Sequence, residues 1–214
     1  MPGTNGENRI RRSVLDNLVD LIILNILFVF SALPIFTYGA SYNALYMSIR
    51  RLLNSKKYDP VAKYYWSVWK VSLKPTLPLW LLQLFVSAFL VLDYLFIQPM
   101  PGHARYCYMG FLLFLIILVQ VTVIIALPVR AAAHLSIRKS IIYSLYALGS
   151  FPFKILLIVI VHLFPVIVLL LNRTWFAALF LVWEVIYFAF ESYLANKLLD
   201  DIILSATQES SEEL

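Results

Sequence analysis

The chain has 214 residues, of which 62% are hydrophobic and only 14% are charged, whereas a soluble globular chain is nearer half apolar and a quarter charged. Apolar runs of about 20 residues without period-two alternation favour membrane helices over a β-barrel. The net charge of +5 does not indicate nucleic acid, because the Lys and Arg residues lie between the apolar runs, where membrane topology explains them.

The first membrane helix is predicted over about 14–33, after a polar segment, 1–13, that we expect to be flexible. Ser13 fits the N-cap position and Asp16 the N3 position of a capping box. A signal peptide is the alternative, because three arginines precede the apolar run. Asp16 and Asp20 interrupt that run, and its length favours a membrane helix.

A second, shorter helix is predicted over about 41–53, because Pro34 and Gly39 break the first one. The two helices form a hairpin. Residues 39–54 would cover only ~24 Å at 1.5 Å per residue, which is short of a ~30 Å hydrocarbon core. The second arm is therefore either a tilted crossing helix or a half-crossing element buried against other helices.

Residues 54–75 form the most basic segment, and Asp59-Pro60 is typical of a helix start. Aromatic and apolar residues follow at helical spacing, which predicts a short amphipathic helix lying on the membrane. The alternative is a docking surface for a cytoplasmic partner. The candidate lipid-surface or partner contacts are Lys63, Trp66, Trp69, Lys70, Arg130, Arg138 and Lys139.

The rest of the chain predicts four more membrane helices and a second short cytoplasmic helix. The membrane helices are expected over about 76–97, 106–127, 153–171 and 175–199. The cytoplasmic helix is expected over about 136–148, and residues 201–214 are expected to be an acidic flexible tail. The predicted fold is thus an all-α polytopic membrane protein with about six membrane helices in a single domain, 14–200.

The distribution of Lys and Arg predicts the orientation. If the hairpin returns to its starting side, 15 of the 17 Lys and Arg residues fall on one side, and only Arg105 and Arg173 remain on the other. Other arrangements of the first segments give a weaker asymmetry. The positive-inside rule therefore predicts that both termini are cytoplasmic.

Several polar side chains fall within the predicted membrane helices, where they are costly and mark candidate functional sites. Glu184 and Glu191 share one helix face, and Glu184 lies at a depth that suits a hydrogen bond with His162, whereas Glu191 is expected near the interface. The functional interpretation is a substrate or proton path, and the structural one is interhelical hydrogen bonding. The candidate network is Asp20, Asn25, Gln83, Gln120, His162, Glu184 and Glu191.

Chemical motifs are lacking in the sequence. It has no Gly-rich phosphate loop, no His-Glu-x-x-His and no Gly-x-Ser-x-Gly elbow. The single cysteine, Cys107, excludes an intramolecular disulfide and a cysteine-based metal cluster. We therefore expect a protein that is not an enzyme and that has no metal site and no cofactor.

The opening hairpin and the segments that follow it resemble the YesL family of bacterial membrane proteins, over roughly residues 14–200. The residues that carry the resemblance are Leu33-Pro34-Ile35, Gly39-Ala40-Ser41, Ala44-Leu45-Tyr46, Arg50-Arg51, Tyr64-Tyr65-Trp66, Trp69-Lys70, Pro128 and Arg130.

This resemblance implies a multi-pass protein of a bacterial plasma membrane, mostly in Gram-positive bacteria. It also implies an accessory role in carbohydrate import, with the permease and ATPase subunits of an ABC importer of oligosaccharides as partners. Two alternatives are a stand-alone small-solute transporter that uses the Glu and His residues of the interior, and a membrane scaffold without transport activity.

Overall fold

The computed structural model describes residues 4–54, 60–97, 102–133, 135–179, 182 and 186–212. Every regular element in these ranges is helical, which confirms the predicted all-α class. The elements are α1 (Thr4–Ala32), a 3-10 turn (Ile35–Thr37), α2 (Tyr38–Asn54), α3 (Val61–Ile97), α4 (His103–Ala133), α5 (Ile137–Ser150), α6 (Pro152–Leu171), α7 (Arg173–Ala178) and α8 (Phe188–Glu212).

Two of these helices are long and apolar enough to cross a membrane, over Val61–Ile97 and Arg105–Ala132. A third span results if Ile137–Ser150 and Pro152–Pro165, which meet at an angle of 109°, count as one. The apolar part of α1, Leu18–Ala32, is shorter. The described residues thus contain the long apolar helices of a membrane protein, and the six-helix arrangement with cytoplasmic termini stays a prediction.

Helix α3 corrects the prediction of a separate surface helix before a membrane helix that starts at 76. The structure has one helix of 37 residues, Val61–Ile97, which continues through Pro75 and Pro78. A proline inside a helix removes an N–H donor and frees a carbonyl group. The freed carbonyl is that of Val71, four residues before Pro75. The Arg130 side chain contacts the same part of α3, because it donates a hydrogen bond to the Pro75 carbonyl.

Both predicted flexible ends are helical where the structure describes them, over 4–13 in α1 and 201–212 in α8. Helix propagation adds a hydrogen bond for each residue fixed, so a packed helix extends easily into polar sequence. Within the helix predicted over 175–199, α7 ends at Ala178 and α8 begins at Phe188, and 180–181 and 183–185 lie outside the described residues.

Local sequence signals explain three of the helix starts. The Ser136 hydroxyl accepts a hydrogen bond from the Lys139 amide and caps α5. Pro152 occupies the first turn of α6, where its missing N–H costs nothing. The Asn172 side chain accepts hydrogen bonds from two amides at the start of α7, as an N-cap residue does.

Helix α2 is the centre of the structure, and it contacts α1, α3, α4 and α8. Four small residues on α2 are buried: Gly39, Ala40, Ser41 and Ala44. Small residues allow helices in a membrane to approach closely. Two apolar clusters meet at α2. One includes Leu45 and lies against α1 and α3, and the other includes Tyr46 and lies against α4, α5, α6 and α8.

The turn between α1 and α2 lies beside the first half of α3. The Trp80 indole N–H donates a 2.6 Å hydrogen bond to the Ile35 carbonyl. Lys74, an exposed cation, precedes Trp80 by only ~9 Å along the helix axis, and Ile97 lies ~25 Å beyond Trp80. The hairpin therefore ends well short of the far end of α3, a geometry that fits the half-crossing alternative.

Candidate functional site

A hydrogen-bonded cluster of hydroxyl groups joins α1, α2 and α3 below the hairpin turn. Ser31 Oγ lies 2.9 Å from Ser41 Oγ and 2.6 Å from Tyr65 Oη. The Trp69 indole N–H donates to Ser41 Oγ at 3.1 Å. Ser31, Ser41 and Tyr65 are buried, so this cluster fixes the hairpin against α3 where few water molecules can compete.

The backbone of the turn is satisfied by side chains as well. Thr37 Oγ1 lies 2.7 Å from the carbonyl oxygens of both Ser31 and Pro34, and Trp80 donates to that of Ile35. Irregular backbone at membrane depth requires such partners, because lipid offers none. The side chains around the turn are apolar and exposed, as lipid contact requires: Phe30, Leu33, Ile35 and Phe36.

A histidine–carboxylate pair lies at the start of α8. His162 Nδ1 and Glu191 Oε1 are 2.6 Å apart, and the Glu191 side chain is only 4% exposed. A carboxylate this deeply buried needs such a partner, since an unpaired buried charge is very costly.

Glu191 lies in the first turn of α8, which continues to Glu212. Its expected position near the interface stays a prediction, because burial within the protein does not fix the depth of a side chain in a membrane. Glu184, the predicted partner of His162, lies outside the described residues. The predicted meeting of a histidine with a carboxylate from the last membrane helix therefore involves Glu191.

A small cavity of about 80 Å³ adjoins the pair, next to the hairpin turn. The Tyr42 hydroxyl, on a residue that is 4% exposed, has no hydrogen-bond partner among the described atoms. Most of the cavity surface is apolar. It is lined by aromatic, polar and aliphatic residues: Tyr38, Tyr42, Trp80, Gln120, Val123, Ile124, Leu127 and His162.

The other residues of the predicted polar network form separate local contacts. Asn25 Oδ1 accepts a 2.8 Å hydrogen bond from the Ala189 amide, which joins α1 to α8. Gln83 and Gln120 both donate to Ser87 Oγ, at 3.3 and 3.5 Å. Where the structure describes it, the network thus separates into interhelical contacts, and Gln120 and His162 are its members that line the small cavity. Asp20 is half-buried on α1, five residues before Asn25.

The predicted surface contacts cluster at one end of the molecule, which we call the basic end. Lys63, Trp66 and Lys70 are exposed on the face of α3 that points away from α2. Trp69 differs from the prediction, because its indole N–H bonds inward to Ser41. The start of α5 adds an exposed and a half-buried cation to this end: Arg138 and Lys139.

Arg130, another of the predicted contacts, lies between helices. It is half-buried, and its side chain donates to the carbonyl oxygens of Leu135, at 3.1 Å, and Pro75. The second bond crosses from α4 to α3. Arg130 therefore connects the α4–α5 junction to the proline-containing turn of α3.

Two ion pairs attach α8 to neighbouring helices at the same end. Arg50 Nη2 lies 3.2 Å from Asp200 Oδ1, and Lys154 Nζ contacts Asp201. Both aspartates are more than half exposed, and exposed ion pairs contribute little to stability. The pairs show that Arg50, Lys154 and the C-terminal half of α8 share the basic end.

Sequence reasoning missed Ser31, Ser41 and Tyr65, because it considered only ionisable and amide side chains as candidates. The available signal was the start of α2, Gly39-Ala40-Ser41-Tyr42-Asn43. Small and polar residues in succession are unlike a lipid-facing surface and are typical of a helix packed on several sides.

Comparisons with known proteins give one match. The model of a family described as protein of unknown function, DUF624, matches residues 21–94. This match covers about a third of the chain, from α1 to most of α3, and the family includes YesL-like membrane proteins. No curated protein and no solved structure matches the chain significantly.

Proposed function

We propose that this protein is an integral membrane accessory component of a carbohydrate ABC import system, and that it docks on the permease or ATPase through its basic end. The observation that carries the proposal is the outward face of α3, where Lys63, Trp66 and Lys70 are exposed while Tyr65 anchors the opposite face to the hairpin. A rigid cationic and aromatic surface is suited to an acidic partner surface, because complementary charge guides association and sets orientation.

The hydrogen bonds in the interior of the protein support an accessory role better than a role as a transport pathway. Among the described residues, Asn25 joins α1 to α8, Ser87 joins the two glutamines of α3 and α4, and His162 joins α6 to α8. These are local interhelical hydrogen bonds, which stabilise helix packing in membranes. A packed body with an exposed cationic end is the architecture expected of a docking subunit.

The substrate class of the importer comes from the resemblance to the YesL family. The match to DUF624 covers the hairpin and most of α3, which are the segments where that resemblance is most specific. The same segments carry the cationic face. We place this face in the cytoplasm of a bacterial cell, with both termini on that side, because nearly all Lys and Arg residues then obey the positive-inside rule.

The experiment is purification of the tagged full-length protein in mild detergent from cells that contain carbohydrate importers. Permease and ATPase subunits of a carbohydrate importer should co-purify, and the Lys63→Glu, Lys70→Glu double variant should lose them. Lys197→Glu is the matched control, since it reverses another exposed cation on α8. Recovery of the chain without importer subunits that are present in the same membrane would contradict the proposal.

A second candidate, a small-solute transporter, is favoured by one specific observation. The His162–Glu191 pair adjoins an 80 Å³ cavity that Tyr42 also lines. A buried acid–base pair beside an internal cavity is the arrangement of a proton-coupled site. This candidate predicts solute flux in proteoliposomes that Glu191→Gln abolishes, and flux that is unchanged in this variant would exclude it.

A further inference from the structure

A cavity of about 410 Å³ lies between α2, α3 and α4 at the basic end, separate from the small cavity beside His162. Most of its wall is apolar, including Met47, Val68, Val71 and Leu135. The polar residues that line it are Asn43, Arg130 and three with hydroxyl groups, Ser67, Ser72 and Thr76. The cavity therefore combines an apolar surface with one cation, one amide and several hydroxyl groups.

Asn43 has an unmet hydrogen-bonding requirement. It is 3% exposed, and its Oδ1 atom has no hydrogen-bond partner among the described atoms. A buried acceptor without a partner is destabilising, and few native side chains are left in that state. Asn43 lines the cavity, so a rotation of its side chain that turns the enclosed Oδ1 atom toward the cavity would allow a ligand hydroxyl or N–H group to supply the missing donor.

Arg130 supplies the complementary group. Its described bonds to Leu135 and Pro75 use the Nε and Nη1 atoms, and a guanidinium has five N–H donors. The remaining donors suit a phosphate, which arginine binds in a fork geometry. The two bonds to backbone carbonyls also fix the guanidinium, so it loses little conformational freedom when a ligand binds.

The position of the cavity indicates where the ligand comes from. Val71 lines the cavity and is 77% exposed, and the exposed cations Lys70 and Lys74 lie next to it on α3. Basic residues beside the end of a membrane helix occupy the headgroup region, where anionic lipids concentrate. The apolar wall that continues to Val71 suits an acyl chain and not a free polar solute.

We infer that this cavity binds an anionic phospholipid with a hydroxylated headgroup, of which phosphatidylglycerol is the simplest. The phosphate contacts the Arg130 guanidinium, the headgroup hydroxyl donates to Asn43 Oδ1, and an acyl chain leaves along Val68 and Val71. The lipid thereby links α2, α3 and α4 beside the face that we propose for docking, although the inference does not depend on that proposal.

Native mass spectrometry of the full-length protein in neutral detergent tests this inference. Phosphatidylglycerol should bind about tenfold more tightly than phosphatidylcholine, as one charge-assisted contact allows. In a separate competition experiment, soluble glycerol phosphate should not displace the lipid, since it lacks the acyl chain. Equal binding of the two lipids would overturn the inference, and displacement by glycerol phosphate would overturn the lipid assignment.

Two variants separate the contacts. Asn43→Leu removes the acceptor of the headgroup hydroxyl and leaves the Arg130 contact with the phosphate. Phosphatidylglycerol binding should therefore fall about fivefold, while phosphatidic acid binding is unchanged. This variant should fold, because it replaces an unsatisfied buried amide with an apolar side chain of similar size. Arg130→Gln should lower the binding of both anionic lipids, and Lys197→Gln should alter neither. A phosphatidylglycerol preference that survives Asn43→Leu would overturn the assignment.

Discussion

Gly39 on α2 and Trp80 on α3 approach so closely that a Cβ atom at Gly39 would lie 3.0 Å from the Cβ atom of Trp80. This approach allows the Trp80 indole to stack on Tyr38, with 4.7 Å between ring centroids, and to bond the Ile35 carbonyl. A single indole thus holds both sides of the hairpin turn, and a glycine makes room for it.

Gly39→Ala should destabilise the protein by about 1–3 kcal/mol, because the added methyl group forces α2 away from α3. The measurement is thermal unfolding in detergent. Gly149→Ala is the matched control: it lies inside α5, no atom lies within 4 Å of the added Cβ, and alanine favours a helix over glycine by about 0.5–1 kcal/mol. Equal effects of the two substitutions would contradict the close contact as the cause.

Tyr65→Phe should lower stability by about 1–3 kcal/mol, because the buried hydroxyl of Ser31 loses its 2.6 Å partner. The change removes one oxygen atom and leaves the ring in place, so packing is preserved. Tyr106→Phe is the control, since Tyr106 is 71% exposed. Equal unfolding temperatures for Tyr65→Phe and the unmodified chain would show that the cluster does not fix the hairpin.

His162 and Glu191 should show strong energetic coupling in a double-mutant cycle. Each single change, His162→Leu or Glu191→Leu, leaves one polar partner buried alone and should cost about 3–5 kcal/mol. The double variant leaves no unpaired polar side chain at this site, so it should lower the free energy of unfolding by clearly less than the sum of the two single effects. The free energy of unfolding in mixed micelles measures this, and additive effects would mean that the 2.6 Å contact contributes no coupling.

The apolar composition of the sequence predicted a helical membrane protein, because few backbone structures are stable in hydrocarbon. The distribution of Lys and Arg predicted its orientation, because cations favour the cytoplasmic side of the membrane. The partners of individual polar residues were harder to predict. The Glu191 carboxylate contacts His162, which is 29 residues away in the chain, whereas the sequence predicted Glu184 as the partner. The extent of α3 was likewise difficult to predict, because prolines are typical of a helix start but Pro75 and Pro78 lie inside a helix of 37 residues.

The hairpin could also be predicted only in part from the sequence. Its break at Pro34 was visible in the sequence, and so was the short length of its second arm. The central position of its second helix, α2, depends on residues that are distant in the chain. The Ser31 hydroxyl contacts Tyr65, and the Asn196 side chain donates a hydrogen bond to the Tyr46 carbonyl. No local pattern encodes those contacts.

The position of the hairpin turn gives a direct topological prediction. The turn lies beside Trp80, ~9 Å beyond Lys74 along α3, whereas the hydrocarbon core is ~30 Å thick. Ile35 is apolar and 67% exposed, so we expect it to face lipid. The 15-to-2 distribution of Lys and Arg is unaffected, because a half-crossing hairpin also returns to its starting side.

A cysteine in place of Ile35, in a Cys107→Ser background, should therefore react with a membrane-impermeant maleimide from neither side of the membrane. Asn54→Cys, exposed at the end of α2, should react only from the side of the basic end, in inverted vesicles. Gly102→Cys, exposed between α3 and α4, should react from outside intact cells. Reaction of Ile35→Cys in intact cells would show instead that the hairpin crosses the membrane completely, and would place the His162–Glu191 pair near the opposite surface.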